Sequence, residues 1–225
     1  MSIKLVVFDL DLTLIDSLHR FYSIFNKVLK KLCNYTVSWD EFLKRFCEDT
    51  LDYLISEEVD VMCFWKEFRR SYAEEPIHPR DRMIPGALET LKWLKKRGYK
   101  VVVTTGREIP EGKVWEELKC FGLAEYVDRV YTLASQDPSV EDVAFIKTGI
   151  LELIMRDFKV KPEEIIFVGD YWVDMESCRR LGILGIGVLT GYESEEKLRK
   201  FGAKYVIKSV KELPKLLIGL ENVKS

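Results

Sequence analysis

Two aspartates near the start of the chain have the spacing of a reactive pair. Asp9 and Asp11 follow an apolar run at residues 3–8, whose β-branched and aromatic side chains are typical of a buried strand. Residues two apart on an extended segment point to the same side, so the two carboxylates share one small space. Like charges this close repel, unless a cation lies between them or one carboxyl group stays protonated. The pair therefore indicates a metal site or acid–base chemistry.

Two later apolar runs also end in polar residues. The run at residues 99–103 leads into Thr104 and Thr105, and the run at residues 165–168 leads to Asp170. Parallel strands bring their carboxyl ends to one edge of a sheet, where open α/β sheets bind ligands. We therefore predict an α/β fold, a Rossmann-like doubly wound parallel sheet, whose strand ends share one site.

The acidic residues at this edge suit the chemistry of phosphate esters. A phosphate ester repels nucleophiles, so its cleavage needs charge neutralisation and in-line positioning. Mg²⁺ can neutralise the charge because it binds carboxylate oxygens and keeps several of its waters. Asp9 and Asp170 are the expected side-chain ligands. Asp174, four residues after Asp170, is expected to bind the metal or to orient one of its waters.

Taken together, these residues resemble the motifs of the haloacid dehalogenase superfamily of hydrolases, specifically its phosphatase branch with a small helical cap, which is phosphoglycolate-phosphatase-like. The matching positions are Asp9-x-Asp11-x-Thr13, Thr104, Lys147 and Gly169-Asp170-x-x-x-Asp174. The resemblance implies a Mg²⁺-dependent phosphoric monoester hydrolase. Its substrate would be a small phosphorylated metabolite, and the reaction would pass through an aspartyl-phosphate.

The resemblance also implies residue roles. Asp9 is expected to attack phosphorus, and Asp11 to protonate the leaving oxygen and then activate water. Thr104 and the backbone amide of Thr105 are expected to bind phosphoryl oxygens, whereas Lys147 neutralises charge and positions Asp9. The implied metal ligands are Asp9, Asp11, Asp170 and Asp174. Two alternatives stay open: Thr104 could bond local backbone, and Lys147 could be a solvated lysine at a helix start.

Three positions depart from the pattern of the family. Leu12 stands where many relatives have glycine. Lys147 is followed by Thr148-Gly149, without the proline that is common after this motif. Tyr171-Trp172 places two large aromatic side chains in the fourth motif, where they either pack against the next helix or narrow the floor of the pocket.

The distribution of glycine divides the chain into two parts, because no glycine precedes Gly86. Residues 16–82 repeat the apolar spacing of helices and predict an all-helical insert, which resembles the small cap of the family. The α/β core then comprises residues 1–15 and 83–225. Arg20, on the first helix of the insert, is a candidate to bind an anionic substrate tail. The aromatic side chains of the insert are expected to form its own core.

Composition limits the classes of molecule that the protein is expected to bind. A net charge of −2, with lysine and glutamate mixed along the helices, gives no electrostatic footprint for nucleic acid. We expect no membrane partner either, because the N-terminal apolar run is short and ends at acids. The odd cysteine count of five, without metal or redox spacing, predicts reduced thiols and a cytoplasmic location. One glutamine, three asparagines and 32% charged residues suggest a thermophilic source. The sequence does not predict the oligomeric state.

Two other functions remain alternatives. A phosphomutase of the same superfamily, similar to β-phosphoglucomutase, would return the phosphoryl group to a sugar. A phosphate-binding interaction module with weak turnover would belong to a different class. A phosphatase assay with Mg²⁺ separates the module from an enzyme.

Overall fold

The computed structural model describes residues 3–75, 77–135 and 147–222. The chain divides into two compact units, one formed by residues 1–16 and 82–225 and the other by residues 17–81. These boundaries lie one residue from the predicted limits of the insert. In the described part of the chain, no helix is long and apolar enough to cross a membrane.

The larger unit contains all the strands of the described residues. In chain order they are β1 (Leu5–Asp9), β2 (Ile15–Asp16), β3 (Arg82–Met83), β4 (Lys100–Thr105), β5 (Arg129–Thr132), β6 (Ile165–Gly169), β7 (Leu184–Val188) and β8 (Tyr205–Ile207). Six of them form one sheet in the order β5-β4-β1-β6-β7-β8, and every pairing in it is parallel. The predicted Rossmann-like α/β sheet is confirmed. The short strands β2 and β3 form a separate antiparallel pair.

The strand order of this sheet reverses between β1 and β6. The chain adds strands outward from β1 through β4 to β5, and then outward again from β6 through β7 to β8. Both central strands, β1 and β6, are buried along their whole length, as expected in a parallel sheet covered by helices. Ligands bind at such a switch point, outside the carboxyl ends of the strands. Asp9 ends β1 and Asp170 directly follows β6, so both flank this point.

Helices connect these strands and build the smaller unit. In chain order they are α1 (Leu18–Cys33), α2 (Trp39–Cys47), α3 (Val61–Glu74), α4 (Ala87–Lys96), α5 (Glu111–Cys120), α6 (Thr148–Phe158), α7 (Trp172–Leu181), α8 (Glu195–Lys200) and α9 (Leu213–Asn222). The first three make the smaller unit all-helical. Ser38 begins α2 by accepting the backbone N–H of Glu41 at 3.2 Å. Asp60 begins α3 by accepting the backbone N–H of Cys63 at 2.8 Å.

An aromatic cluster forms the core of the smaller unit. Phe25, Phe42 and Phe64 are fully buried. The rings of Phe25 and Phe64 lie 5.2 Å apart between centroids, and Phe25 and Phe42 lie 5.6 Å apart. Such pairs combine apolar burial with favourable edge-to-face packing. The aromatic residues of α1, α2 and α3 therefore hold these helices together.

Removing one ring of this cluster tests how far the smaller unit depends on it. We expect Phe64→Ala to cost about 3–5 kcal/mol of unfolding free energy, because truncating a buried Phe loses transfer energy and leaves a cavity. Urea unfolding followed by tryptophan fluorescence would measure it, because two of the five tryptophans, Trp39 and Trp65, lie in this unit. The control Tyr53→Ala removes a ring that is 77% exposed and should change stability by less than about 0.5 kcal/mol. Equal effects of the two changes would contradict this account of the core.

Candidate active site

Lys147 is the cation around which buried acidic side chains gather. It directly precedes α6, and its backbone N–H donates to the Ser177 hydroxyl at 3.1 Å. Its Nζ contacts the Asp9 carboxylate and lies 2.7 Å from Asp174 Oδ1. Only 5% of the lysine side chain is exposed. Of the two alternatives for this residue, the structure thus shows a buried lysine paired with two acids and not a solvated one.

The acids at this edge form one compact cluster. Asp9, Asp170 and Asp174 are all buried, and each offers a ligand atom within 4.8 Å of the others. Thr13 donates its hydroxyl to Asp170 Oδ1 at 2.8 Å and so orients that carboxylate. Three carboxylates face one lysine, so the cluster has an excess of negative charge when all its members are ionised.

Two glycines make room for these carboxylates. A Cβ on Gly191 would lie 1.8 Å from Asp170 Oδ2. A Cβ on Gly169 would lie 2.5 Å from Asp174 Oδ2. Real side chains do not approach this closely, so any larger residue would displace a carboxylate. The backbone of both glycines is therefore part of the wall of the site.

The crowding of buried charges shifts the pKa values of the site residues. Burial raises the pKa of Asp9 to about 7, with the nearby Asp174 carboxylate adding to the effect and Lys147 opposing it. Burial, reinforced by Asp9 and Asp174, also holds the pKa of Asp170 well above its usual value. Burial disfavours the charged form of Lys147, yet the Asp174 and Asp9 carboxylates hold its pKa above the usual range. The lysine stays charged while the acids resist ionising together.

The same residues fit a divalent cation. Oδ2 of Asp174 is buried and has no hydrogen-bond partner among the described residues, which is costly for an ionised carboxylate. A hard cation held by carboxylate oxygens would satisfy this atom and offset the negative charge. Asp9, Asp170 and Asp174 are therefore the residues that could hold a metal ion.

Asp11 lies outside this group of three. Its two carboxylate oxygens contact the guanidinium of Arg107, with Nε 2.9 Å from Oδ2. The Thr105 hydroxyl also donates to Oδ2, at 3.2 Å. Because this carboxylate already pairs with a cation, the structure does not support the predicted role of the Asp11 side chain as a metal ligand. Its role as the general acid and base stays a prediction.

The threonines at the end of β4 differ in what they contact. The fully buried Thr104 donates its hydroxyl to the carbonyl oxygen of Phe8, at 3.2 Å. This is the local-backbone alternative, and it ties the end of β4 to β1. The Thr105 hydroxyl points to Asp11 instead. Phosphoryl binding by Thr104, or by the amide of Thr105, stays a prediction.

The expectation for Arg20 needs correction. Its side chain is 3% exposed, its Nε lies 2.9 Å from Asp81 Oδ2, and its guanidinium lies over the Tyr72 ring at 5.5 Å. Arg20 belongs to the first helix of the smaller unit, and Asp81 is the last residue of that unit. The ion pair thus joins the two ends of the insert. A substrate that recruited Arg20 would have to break a buried ion pair, which is strongly unfavourable.

Three residues without a predicted role lie around the predicted site residues. Thr13 orients Asp170, Arg107 binds Asp11, and Glu117 accepts from Arg107 Nη1 at 2.6 Å. One signal in the sequence could have pointed to Glu117. It lies on the buried face of α5 beside Leu118, where an acid is expected only with a partner.

Two of the departures from the family pattern have physical explanations. Leu12 has φ of 56°, in the left-handed region where glycine is favoured and other residues cost about 1–2 kcal/mol. Its side chain is 7% exposed, so apolar burial offsets part of this strain. Trp172 packs against Phe201, with ring centroids 4.5 Å apart. Trp172 begins α7, so the structure shows it packed against the residue that directly follows α8.

Comparisons with known proteins agree with this geometry. The sequence pattern of the family described as haloacid dehalogenase-like hydrolase matches residues 6–188. A phosphoglycolate phosphatase from Vibrio parahaemolyticus is 25% identical, over 94% of this chain and 95% of its own length. The pyrophosphatase PpaX from Halalkalibacterium halodurans is 27% identical, over 95% of this chain and 96% of its own length.

A solved structure shows the same fold. The crystal structure of a predicted phosphatase from Clostridium acetobutylicum superposes with a TM-score of 0.77, at 23% identity, and covers 97% of this chain and 100% of that one. The resemblance predicted from the motifs is confirmed by the match to most of the chain. The protein therefore belongs to the haloacid dehalogenase-like hydrolase family and is an enzyme of that family.

Proposed function

We propose that this protein is a Mg²⁺-dependent phosphatase that hydrolyses a small phosphorylated metabolite through an aspartyl-phosphate on Asp9. One observation carries the proposal: three buried carboxylates and a buried lysine converge at the switch point of the sheet. The relatives named phosphoglycolate phosphatase and pyrophosphatase support it.

In this proposal, Asp9, Asp170 and Asp174 hold the metal ion. When bound, Mg²⁺ supplies positive charge that favours ionised carboxylates and offsets the charge of a phosphoryl group. The all-oxygen donor set favours hard cations such as Mg²⁺ over ions that prefer nitrogen or sulfur ligands. Thr13 keeps the Asp170 carboxylate in place through its hydroxyl.

The residues of the chain perform the chemical steps. A carboxylate oxygen of Asp9 forms a bond to phosphorus as the bond to the leaving oxygen breaks, and Asp11 gives that oxygen a proton. Water then attacks phosphorus and Asp11 takes its proton, which releases inorganic phosphate and restores Asp9. Lys147 holds Asp9 in position and offsets the charge of the phosphoryl group.

Selectivity is assigned to the helical unit of residues 17–81, which corresponds to the cap that the resemblance implies. A panel of phosphate compounds that includes 2-phosphoglycolate and pyrophosphate would identify the substrate class. Release of inorganic phosphate supports a phosphatase, whereas conversion of one sugar phosphate into another would reveal a phosphomutase. Binding without turnover would identify an interaction module.

A cytoplasmic location is also part of the proposal. All five cysteines, Cys33, Cys47, Cys63, Cys120 and Cys178, are free thiols. A reducing compartment suits this state, because disulfides are rare there.

Metal removal tests the proposed activity most simply. We expect phosphomonoesterase activity to disappear in EDTA and to return with excess Mg²⁺, because the Asp9, Asp170 and Asp174 cluster needs a cation to offset its charge. Asp9→Asn should abolish turnover even with Mg²⁺, since an amide cannot form the covalent intermediate. Release of phosphate at saturating substrate measures both effects. Full activity in chelator, or turnover by a folded Asp9→Asn protein, would refute the mechanism.

Replacing the buried lysine tests its role at Asp9. Charge-assisted hydrogen bonds are worth roughly 1.5–3 kcal/mol, so Lys147→Ala should lower kcat/KM by at least about tenfold. The matched control is Lys159→Ala at the exposed end of α6, which should be kinetically silent. The proposed role of Lys147 fails if its removal is silent in a folded protein, and fails equally if Lys159→Ala is the variant that loses activity.

The raised pKa of Asp9 predicts how the stability of the metal-free protein changes with pH. The pKa is about 7 in the folded protein and 3.8 in an unperturbed chain, so between roughly pH 4 and 7 folding takes up a proton. The contribution of Asp9 to stability therefore falls as the pH rises through this window. Asp9→Asn removes the titration, so this variant should gain stability relative to wild type between pH 5 and 7.

Urea unfolding in EDTA at both pH values measures this difference. Mg²⁺ should stabilise the wild type more at pH 7 than at pH 5, because metal binding favours the ionised carboxylates. A stability difference between wild type and Asp9→Asn that does not change with pH would contradict the raised pKa.

A further inference from the structure

Arg107 connects two acids that lie on different elements of the larger unit. Its Nε and Nη2 contact the two oxygens of Asp11, and its Nη1 lies 2.6 Å from Glu117 Oε2. Nη2 also lies 3.3 Å from Glu117 Oε1. The guanidinium therefore makes a two-atom contact with each carboxylate, which fixes the plane of both groups better than a point charge would.

Burial within this triad is uneven. The side chains of Arg107 and Glu117 are 7% and 4% exposed, whereas that of Asp11 is 26% exposed. Asp11 is thus the member that reaches solvent, and the other two lie behind it. This is the arrangement expected if the buried pair supports the accessible carboxyl group.

Stability alone gives little reason for such a buried pair. Removing Arg107 and Glu117 from water costs several kcal/mol for each ion, and well-packed apolar residues often do as well or better. Glu117 moreover lies on α5 beside Val114 and Leu118, both fully buried. The acid occupies a position that an apolar residue could fill, and it binds the guanidinium that also binds Asp11.

The loop after β4 reinforces the same carboxyl group. The backbone N–H of Arg107 donates to Thr105 Oγ1 at 3.2 Å, and that hydroxyl donates to Asp11 Oδ2 at 3.2 Å. Arg107 therefore acts on Asp11 directly through its side chain and indirectly through Thr105. The indirect route begins at the backbone of Arg107 and so does not depend on its side chain.

We propose that Arg107, held in place by Glu117, is a positioning residue that sets the orientation of the Asp11 carboxyl group. Asp11 reaches solvent, from which it takes up the proton that it then transfers to the leaving oxygen. The inference rests on the proposed function, because it assigns to Asp11 the role of general acid. Arg107 itself does not contact the reacting atoms in this scheme. Its contribution passes through Asp11.

Two aryl phosphates of nearly the same shape test this inference. Phenyl phosphate releases a poor leaving group that needs a proton, whereas p-nitrophenyl phosphate releases a stable phenolate that needs little help. A misplaced general acid should therefore slow the first much more than the second. Loss of phosphate binding, or general loosening of the site, should slow both by a similar factor. The measured quantity is kcat/KM, which covers the steps up to departure of the leaving group.

Arg107→Lys keeps the positive charge but removes the planar fork. We expect its kcat/KM to fall at least about tenfold more on phenyl phosphate than on p-nitrophenyl phosphate, within the 10²–10⁴-fold worth of a general acid. Glu117→Gln, which changes the group that holds Arg107, should show a smaller loss of the same selective kind. The control Arg199→Lys alters an exposed ion pair with Glu195 on α8 and should leave kcat/KM unchanged on both substrates.

A double-variant cycle shows whether Arg107 acts through Asp11. Asp11→Asn alone should show the selective loss on phenyl phosphate. Adding Arg107→Lys to it should change kcat/KM by less than about twofold, because the group that Arg107 positions is already inactive. Circular dichroism and thermal unfolding of every variant would establish that each protein is folded.

Several results would overturn the inference. Equal losses on both substrates in folded Arg107→Lys and Glu117→Gln proteins would mean a general structural role. Additive losses in the double variant would mean that Arg107 does not act through Asp11. A wild type without Mg²⁺-dependent phosphatase activity on any compound would refute the proposed function, and the inference with it. An active wild type with unselective variants would refute the inference alone.

Discussion

Three buried carboxylates meet one ammonium group at the carboxyl ends of β1 and β6, and the other features of the site depend on this imbalance of charge. Asp9, Asp170 and Asp174 cannot all ionise at low energetic cost beside Lys147 alone. Burial keeps water from screening the charges, so the carboxyl groups either retain protons or accept a cation. This excess of negative charge favours the binding of a metal ion and disfavours the binding of an anion on its own. In the proposed mechanism, a bound cation therefore accompanies the phosphoryl group.

The fold holds this unfavourable cluster because the central strands are buried and two glycines leave space beside the carboxylates. Gly169 and Gly191 leave the volume that the carboxylates of Asp174 and Asp170 occupy. Thr13 fixes Asp170, and the start of α6 carries Lys147 to Asp9 and Asp174. The strand order places these side chains at the switch point, where the crevice outside the strand ends is open to a ligand. The energy that opposes the cluster is thus offset by a sheet whose central strands are fully buried.

The sequence predicts the strands and the acids well, because apolar runs that end in polar residues report where a strand ends. It also predicts that Lys147 lies at the same edge as Asp170, and the structure pairs its Nζ with Asp9 and Asp174, whereas its catalytic role stays a prediction. It predicts less well where side chains pair across space. Arg20 pairs with Asp81 at the far end of the insert, and Thr104 turns its hydroxyl to the backbone of β1. Such pairings depend on packing angles between elements, which residue spacing within one element does not determine.

Chemical trapping of the covalent intermediate tests the central claim, which is that the Asp9 carboxylate is the nucleophile. The protein would be mixed with a substrate and Mg²⁺, quenched in acid within one turnover, and treated with borohydride, which reduces an acyl phosphate to an alcohol. Peptide mass spectrometry would then locate the reduced side chain. The account predicts that Asp9 is converted to homoserine, in a substrate-dependent manner. Steady turnover with Asp9 unmodified, or with the reduced side chain at another residue, would contradict it.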